Sequence, residues 1–207
     1  MTLRQAQDGA GVRLIIVGPQ GSGKGTQGIR IAEALGIPAI STGDVFRGAV
    51  AAGTPLGEQV KAIIEAGDLV SDELTSAVVR DRLSQEDAAG GFLLDGYPRN
   101  VAQVMHLDEF LEGRDESIDA VIELDVPRDE SISRLSLRAA EQGRTDDTEE
   151  IIANRLAIYE RETAPILDIY RSRDVVDRID GVGSLDEITD RIVAALEARA
   201  LGRGSAA

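Results

Sequence analysis

Apolar residues fall along this chain in short unbroken runs, separated by longer stretches with helical spacing. Leu14-Ile15-Ile16-Val17, bounded by Gly18, contains no polar position and is therefore predicted to be a strand buried on both faces, as in a parallel sheet. From Thr26 to Leu35, the residues Ile29, Ile31, Ala32, Ala34 and Leu35 recur near helical spacing, and Gly36 supplies a stop. The alternation repeats. Phe92-Leu93-Leu94 follows Gly90-Gly91, Ala120 to Leu124 precedes a helix predicted through Leu137, and Val175 to Ile179 precedes one from Leu185 to Ala200. Strands separated by helical segments predict an α/β fold with a central parallel sheet, right-handed crossovers and helices on both faces.

Thr42 to Val79 departs from this alternation. After a short strand segment near Ala39-Ile40 the spacing is helical throughout, broken near Gly53-Thr54-Pro55 and Gly67-Asp68. A helical insertion at that point lies beside the carboxyl ends of the strands, where open α/β sheets bind their ligands, and could act as a flap.

Composition narrows the chemistry. With 43% hydrophobic and 29% charged residues in 207, the chain is expected to fold as one domain. Cysteine is absent, which excludes disulfides and thiolate metal sites, and the one histidine, His106, is expected at the surface. A net charge of −15 suits neither a nucleic-acid groove nor a broad phosphate surface, so nucleic acid is not expected as a partner. The longest apolar runs fall well short of the roughly 20 residues that span a bilayer. Residues 1–11 are polar, without the apolar segment of a secretory signal; a flexible leader and a cytoplasmic location are expected. An acidic protein still binds a small polyanion where a few cations converge on one cleft.

Gly18-Pro-Gln-Gly-Ser-Gly-Lys-Gly-Thr26 joins the first strand to the first helix, the context that a phosphate-binding loop requires. In such a loop the glycines turn main-chain N–H groups toward phosphate oxygens, the helix start adds partial positive charge, and Lys24 reaches the β- and γ-phosphates. Only two lysines stand against twenty arginines here, so a lysine at this position is informative. Gly25 intervenes where Ser or Thr usually follows the lysine, which shifts the hydroxyl expected near magnesium to Thr26. Asp95 closes an apolar strand, where a carboxylate can hold magnesium or its waters.

The phosphate loop, Ser41-Thr-Gly-Asp44 and Phe92-Leu-Leu-Asp-Gly-Tyr-Pro-Arg99 together resemble the signatures of nucleoside monophosphate kinases, in that family's order, and within it the adenylate kinases. Asp180-Gly181, Arg138, Arg144, Asp146, Asp147 and Arg155 extend the similarity over roughly residues 13 to 195. The resemblance implies a three-layer phosphate-loop domain over 12–207, with a monophosphate-binding insertion over 41–70 and a short lid over 138–148. It implies transfer of the γ-phosphoryl group of MgATP to AMP by a monomer. Lys24, Arg99, Arg138, Arg144 and Arg155 would act on the transferring group, since guanidinium forks match phosphate oxygens and keep their charge. Gly21, Ser22, Gly23, Lys24, Gly25, Thr26, Arg134 and Gly183 would hold ATP. Thr42, Arg47, Gly96, Arg99, Gln103, Arg144 and Arg155 would hold AMP, and Thr26 with Asp95 would serve magnesium. Only Ala139 to Gly143 separates Arg138 from Arg144, where long-lid relatives insert a domain that sometimes holds zinc, so zinc is not expected.

Three alternatives stand against this reading. A guanine-nucleotide switch of the same loop class would need an Asn-Lys-x-Asp tetrapeptide, which the chain lacks. A hydrolase would place a water-orienting glutamate beside Asp95, where Gly96 stands. A uridylate or cytidylate kinase shares every motif except the acceptor-base contacts, and Asn100 after Arg99 occurs there too. Thr42 and Gln103, which the resemblance puts at the acceptor adenine, favour AMP: the Gln103 amide can meet both a ring acceptor and an amino donor, whereas UMP would require that amide to flip. The sequence leaves open how costly a flip would be.

Overall fold

The computed structural model describes residues 11–142 and 148–204; the side chains of 138–142, 149 and 200–204 are outside the description. Five parallel strands form one sheet in the order β2-β3-β1-β4-β5: β1 Val12–Val17, β2 Ala39–Ser41, β3 Gly91–Asp95, β4 Ala120–Asp125 and β5 Val176–Asp180. The central place of β1, paired with β3 on one side and β4 on the other, explains why its run has no polar position. Leu14 and Ile15 are wholly buried, and their neighbours along the run face opposite layers.

That alternation builds two cores. Leu14 and Ile16 pack with Leu93, Ala120 and Ile122 against helix α1 (Lys24–Leu35) and helix α9 (Leu185–Gly204). Ile15 and Val17 pack with Leu94 and Val121 against α4 (Asp72–Leu83), α5 (Val101–Glu112) and α8 (Ile166–Ser172). Burying each Leu or Ile contributes about 1.5–3 kcal/mol, so β1, feeding both layers, is firmly fixed where it delivers the phosphate loop. The three-layer α/β fold read from the sequence is the fold observed.

Helices α2 (Thr42–Ala51) and α3 (Pro55–Ala66) pack on each other and share a separate small cluster of Phe46, Val60 and Val70. Ser41 and Thr54 cap their starts by accepting from the main-chain N–H of Asp44 and Gly57. Helix α6 (Arg128–Gln142) runs beyond the predicted end at Leu137, so the first residues of the expected lid are helical. Its remainder is followed by α7 (Glu149–Ile158) and by a wide helical turn, Tyr159–Thr163. Lid residues 143–147, and residues 1–10 of the expected leader, lie outside the described residues.

Two sequence expectations need correction. Ile29 and Ala34, both counted in the helical spacing of α1, are exposed, because its buried face is set by Gln27, Gly28, Ile31 and Ala32. His106 is half-buried rather than superficial, its Nδ1 lying 3.1 Å from the hydroxyl of Ser76. Among the described residues no helix is long and apolar enough to cross a membrane.

Candidate active site

The chain leaves β1 through Gly18 and enters α1 at Lys24. Gly21 has φ 83°, and a Cβ there would come within 2.4 Å of the Ser131 carbonyl oxygen, so only glycine lets the loop lie against α6. Gly23 starts α1 without a side-chain cap, and a helix start has N–H groups that no preceding carbonyl in the helix satisfies, which is the arrangement that attracts an anion. The Lys24 ammonium donates to the Pro19 carbonyl at 2.9 Å, which keeps it beside its own loop. Ser22, within the loop, is completely buried, its hydroxyl without a hydrogen-bond partner among the described residues.

Asp95 ends β3 in register with Ile16 on one side and Ser41 on the other. Burial pushes its carboxyl above the ordinary carboxylate range, and the nearby charges of Lys24, Arg99 and Arg47 oppose that rise. A Cβ on Gly25 would lie 3.6 Å from Asp95 Oδ2, so the start of α1 and the end of β3 face each other at close range. Thr26 lines the same space. Among the described residues no group of His, Asp and Glu side chains is arranged to cage a metal. The donor set of one strand-end carboxylate and one hydroxyl fits magnesium, which keeps several waters and takes other ligands from substrate phosphates.

Arg99 stands beside Asp95 at the centre of a group of cations. Burial pulls its guanidinium down from the ordinary value; Asp95 counteracts this, and Arg155 and Arg47 add to it. Such a cluster of like charges around one carboxylate awaits a multivalent anion. The Arg99 Nε donates to the Gly96 carbonyl at 2.8 Å, and Thr42 Oγ1 donates to the same oxygen at 2.9 Å. Gly96 has φ 79°, and a Cβ there would stand 2.9 Å from Thr42 Oγ1 and 3.0 Å from Arg99 Nη2. The Gln103 side chain accepts from the Arg99 main-chain N–H at 2.8 Å and donates to Asp72 Oδ1 at 2.7 Å. Arg47 is paired with Asp44 at 2.6 Å, and Arg155 reaches the Ile64 carbonyl of α3 at 3.4 Å.

Two cavities adjoin here. The larger, about 300 Å³, is bordered by Gly21, Gly23, Lys24, Gly25, Thr26, Asp95 and Arg134. The smaller, about 70 Å³, lies under α2 and α3 and is bordered by Thr42, Phe46, Val70, Thr75 and Gln103. Arg47, Gly96, Arg99 and Arg155 border both. The two cavities thus adjoin along a border that carries three arginines.

Arg134 donates to Glu130 at 2.7 Å and to the Gly181 carbonyl at 3.0 Å, which ties α6 to the loop after β5. Gly183, in that loop, is outside the border of the larger cavity; its φ is 136°, with the position of a Cβ 2.9 Å from Glu187 Oε2. Arg138 lies on α6 with its side chain outside the described residues, and Arg144 is outside them altogether. Sequence reasoning missed Gln20, Leu69, Tyr159 and Thr163 at the cleft and Asp72 behind Gln103. Asp72 reads in sequence as an ordinary first-turn acid of α4, and nothing in the Tyr159-to-Thr163 segment signals a site.

Comparison with known proteins agrees with this geometry. A family model described as adenylate kinase matches residues 16–175. An adenylate kinase of Kocuria rhizophila is 55% identical over 185 residues, covering 89% of this chain and 98% of that relative. One of Clavibacter michiganensis subsp. michiganensis is 54% identical over 187 residues, 90% and 94% of the two chains, and one of Thermobifida fusca 49% over 189, 91% and 100%. With a phosphate loop facing a strand-end carboxylate, an arginine cluster between two cavities, and half of its residues shared with these relatives, the chain belongs to the adenylate kinase family of phosphotransferases.

Proposed function

We propose that this chain carries out the ATP:AMP phosphotransfer of its family with ATP in the larger cavity, AMP in the smaller, and the γ-phosphoryl group passing between them at Arg47, Arg99 and Arg155. The sharing of these arginines by both cavities is the observation that carries this reading. The acceptor phosphate and the transferred group must meet in line, and a cation cluster common to both recesses brings two polyanions together there.

In this reading Gly21, Ser22, Gly23, Gly25 and Thr26 shape the loop that receives the ATP phosphates, and Lys24 exchanges the Pro19 carbonyl for a phosphate oxygen. Arg134 and the Gly183 loop, already tied together through Gly181, flank the donor base. Thr42 and Gln103 face the acceptor base, and Gly96 gives the chain its turn between Asp95 and Arg99. By the family resemblance, Arg138 and Arg144 would serve the transferring group. Asp95 and Thr26 would hold magnesium through its waters, and the ion neutralises phosphate charge when bound. One chain lines both cavities, which supports a monomer as the working unit.

The test is a dinucleotide of two adenosines joined by five phosphates. Linking the two binding events should make it bind at least about a hundredfold tighter than AMP, with one equivalent per chain by calorimetry. Affinity equal to that of AMP, or two equivalents per chain, contradicts facing sites. A wild-type preference for UMP or CMP over AMP would instead identify a pyrimidine-nucleotide acceptor.

A further inference from the structure

Gln103 is 1% exposed, and its amide has partners of fixed polarity at both ends. Its Oε1 accepts from the Arg99 main-chain N–H at 2.8 Å, and its Nε2 donates to Asp72 Oδ1 at 2.7 Å. A main-chain N–H only donates and a carboxylate only accepts, so the two partners dictate which end of the amide is oxygen and which is nitrogen. The same Asp72 oxygen also accepts from Asn100 Nδ2 at 2.8 Å, and Asn100 Oδ1 accepts from the Gln103 main-chain N–H at 2.9 Å. Asp72 thus joins the first turn of α4 to the first turn of α5.

Flipping the amide would set Nε2 against the Arg99 N–H and Oε1 against the Asp72 carboxylate, donor on donor and acceptor on acceptor. In a buried site both contacts are strongly unfavourable, because neither group has water to turn to. The cost of a flip, which the sequence could not weigh, is therefore set by Asp72 and the Arg99 main chain. Each end of the amide keeps one further hydrogen-bonding position, a lone pair on Oε1 and an N–H on Nε2.

We propose that Asp72 is a positioning residue for acceptor specificity: it locks the Gln103 amide so that the smaller cavity takes a base with a ring-nitrogen acceptor beside an amino donor and rejects 6-oxo purines. This rests on the reading that Gln103 faces the acceptor base. Adenine presents the accepted pattern; hypoxanthine and guanine present N–H beside carbonyl, as uracil does, and would meet the locked amide with like groups. Cytosine shares the polarity of adenine, so against CMP the recess would have to discriminate by size.

The experiment compares kcat/KM for AMP and for inosine monophosphate, a purine nucleotide differing at the reading edge, with MgATP as donor. Wild type, Asp72→Ala, Asp72→Ser and Gln103→Leu are assayed. Serine is the second Asp72 variant because it is tolerated at a helix start and its hydroxyl both donates and accepts, so it too removes the acceptor-only partner at the Nε2 end and leaves the Arg99 N–H as the sole lock. Wild type should prefer AMP strongly, and both Asp72 variants should narrow the AMP-to-inosine-monophosphate ratio by at least about tenfold, AMP losing and inosine monophosphate gaining. Gln103→Leu should narrow it as well. If the Asp72 variants keep the wild-type ratio, or lose rate equally with both nucleotides, while Gln103→Leu narrows it, Gln103 reads the base and the lock is refuted. If Gln103→Leu keeps the wild-type ratio, or wild type does not discriminate, the reader and the lock both fall.

Discussion

The Thr163 hydroxyl donates to the main-chain carbonyl of Arg99 at 2.9 Å, joining residues 64 positions apart across the cleft. Thr163 closes the wide helical turn after α7, the helix that bears Arg155. Two of the arginines shared by the cavities are therefore held in one frame. Thr163→Val keeps the shape and removes the donor. It should lower kcat by several-fold to about tenfold, with stability reduced by about 1 kcal/mol, the net worth of one such bond. Steady-state kinetics and thermal unfolding check this; unchanged kcat would show that Arg99 needs no such brace.

Lys24→Ala should leave the fold intact, since the ammonium contacts its own loop at Pro19 and the cleft but no apolar core. Phosphoryl transfer should fall on the order of a hundredfold to a thousandfold, the scale for removing a preorganised charge from a developing anion. Circular dichroism alongside the rate assay separates the two effects. A rate within a few-fold of wild type would remove Lys24 from the mechanism.

Arg155→Ala should reduce kcat by about a hundredfold, well beyond its effect on nucleotide affinity, because contacts to the transferring group tighten in the transition state. An effect confined to KM would assign Arg155 to ground-state binding alone. Isothermal titration and single-turnover kinetics distinguish these.

Asp95 gives a pH prediction. Its folded pKa is raised by burial, so the folded chain holds that proton more tightly than the unfolded one, and the resulting destabilisation is absent below the ordinary carboxylate value of 3.8 and grows as pH rises above it. Asp95→Asn removes this cost. At neutral pH the nucleotide-free variant should be more stable by on the order of 1 kcal/mol, about 2–4 °C in Tm for a chain of this size, while magnesium-dependent transfer collapses. The Tm difference should shrink as pH falls toward 4. A variant less stable than wild type at pH 7 would contradict the account.

Gly96→Ala should weaken the site through its backbone. With φ 79° and Thr42 and Arg99 side-chain atoms within 3.0 Å of the added carbon, the substitution should cost about 1–3 kcal/mol and displace the Arg99 guanidinium. A crystal structure of the variant with Arg99 unmoved would argue against this.

The sheet and the phosphate loop were legible because their causes are local. Leu14 to Val17 reads as a doubly buried strand from its own residues, and the glycines with Lys24 after it specify a loop entering a helix. The insertion helices announced themselves by spacing and by Thr54-Pro55 and Gly67 at their ends. Ile29 and His106 were misplaced because the exact orientation of a helix depends on what packs against it, which spacing alone does not give.

By itself, then, the sequence determined which residues carry charge and polarity and in what local frame: Lys24 at a helix start, Asp95 at a strand end, Arg99 after a turn, Gln103 one turn into α5. Only the tertiary structure decided how these act together. It put Arg47, Arg99 and Arg155, from three distant segments, on the common border of two cavities. It also set Asp72 of α4 against the Gln103 amide, although 31 residues separate them. The physical reason is that local conformation follows from neighbours along the chain, whereas the polarity in which an amide is held, and the field around a buried carboxylate, depend on groups that only packing brings within a few ångströms.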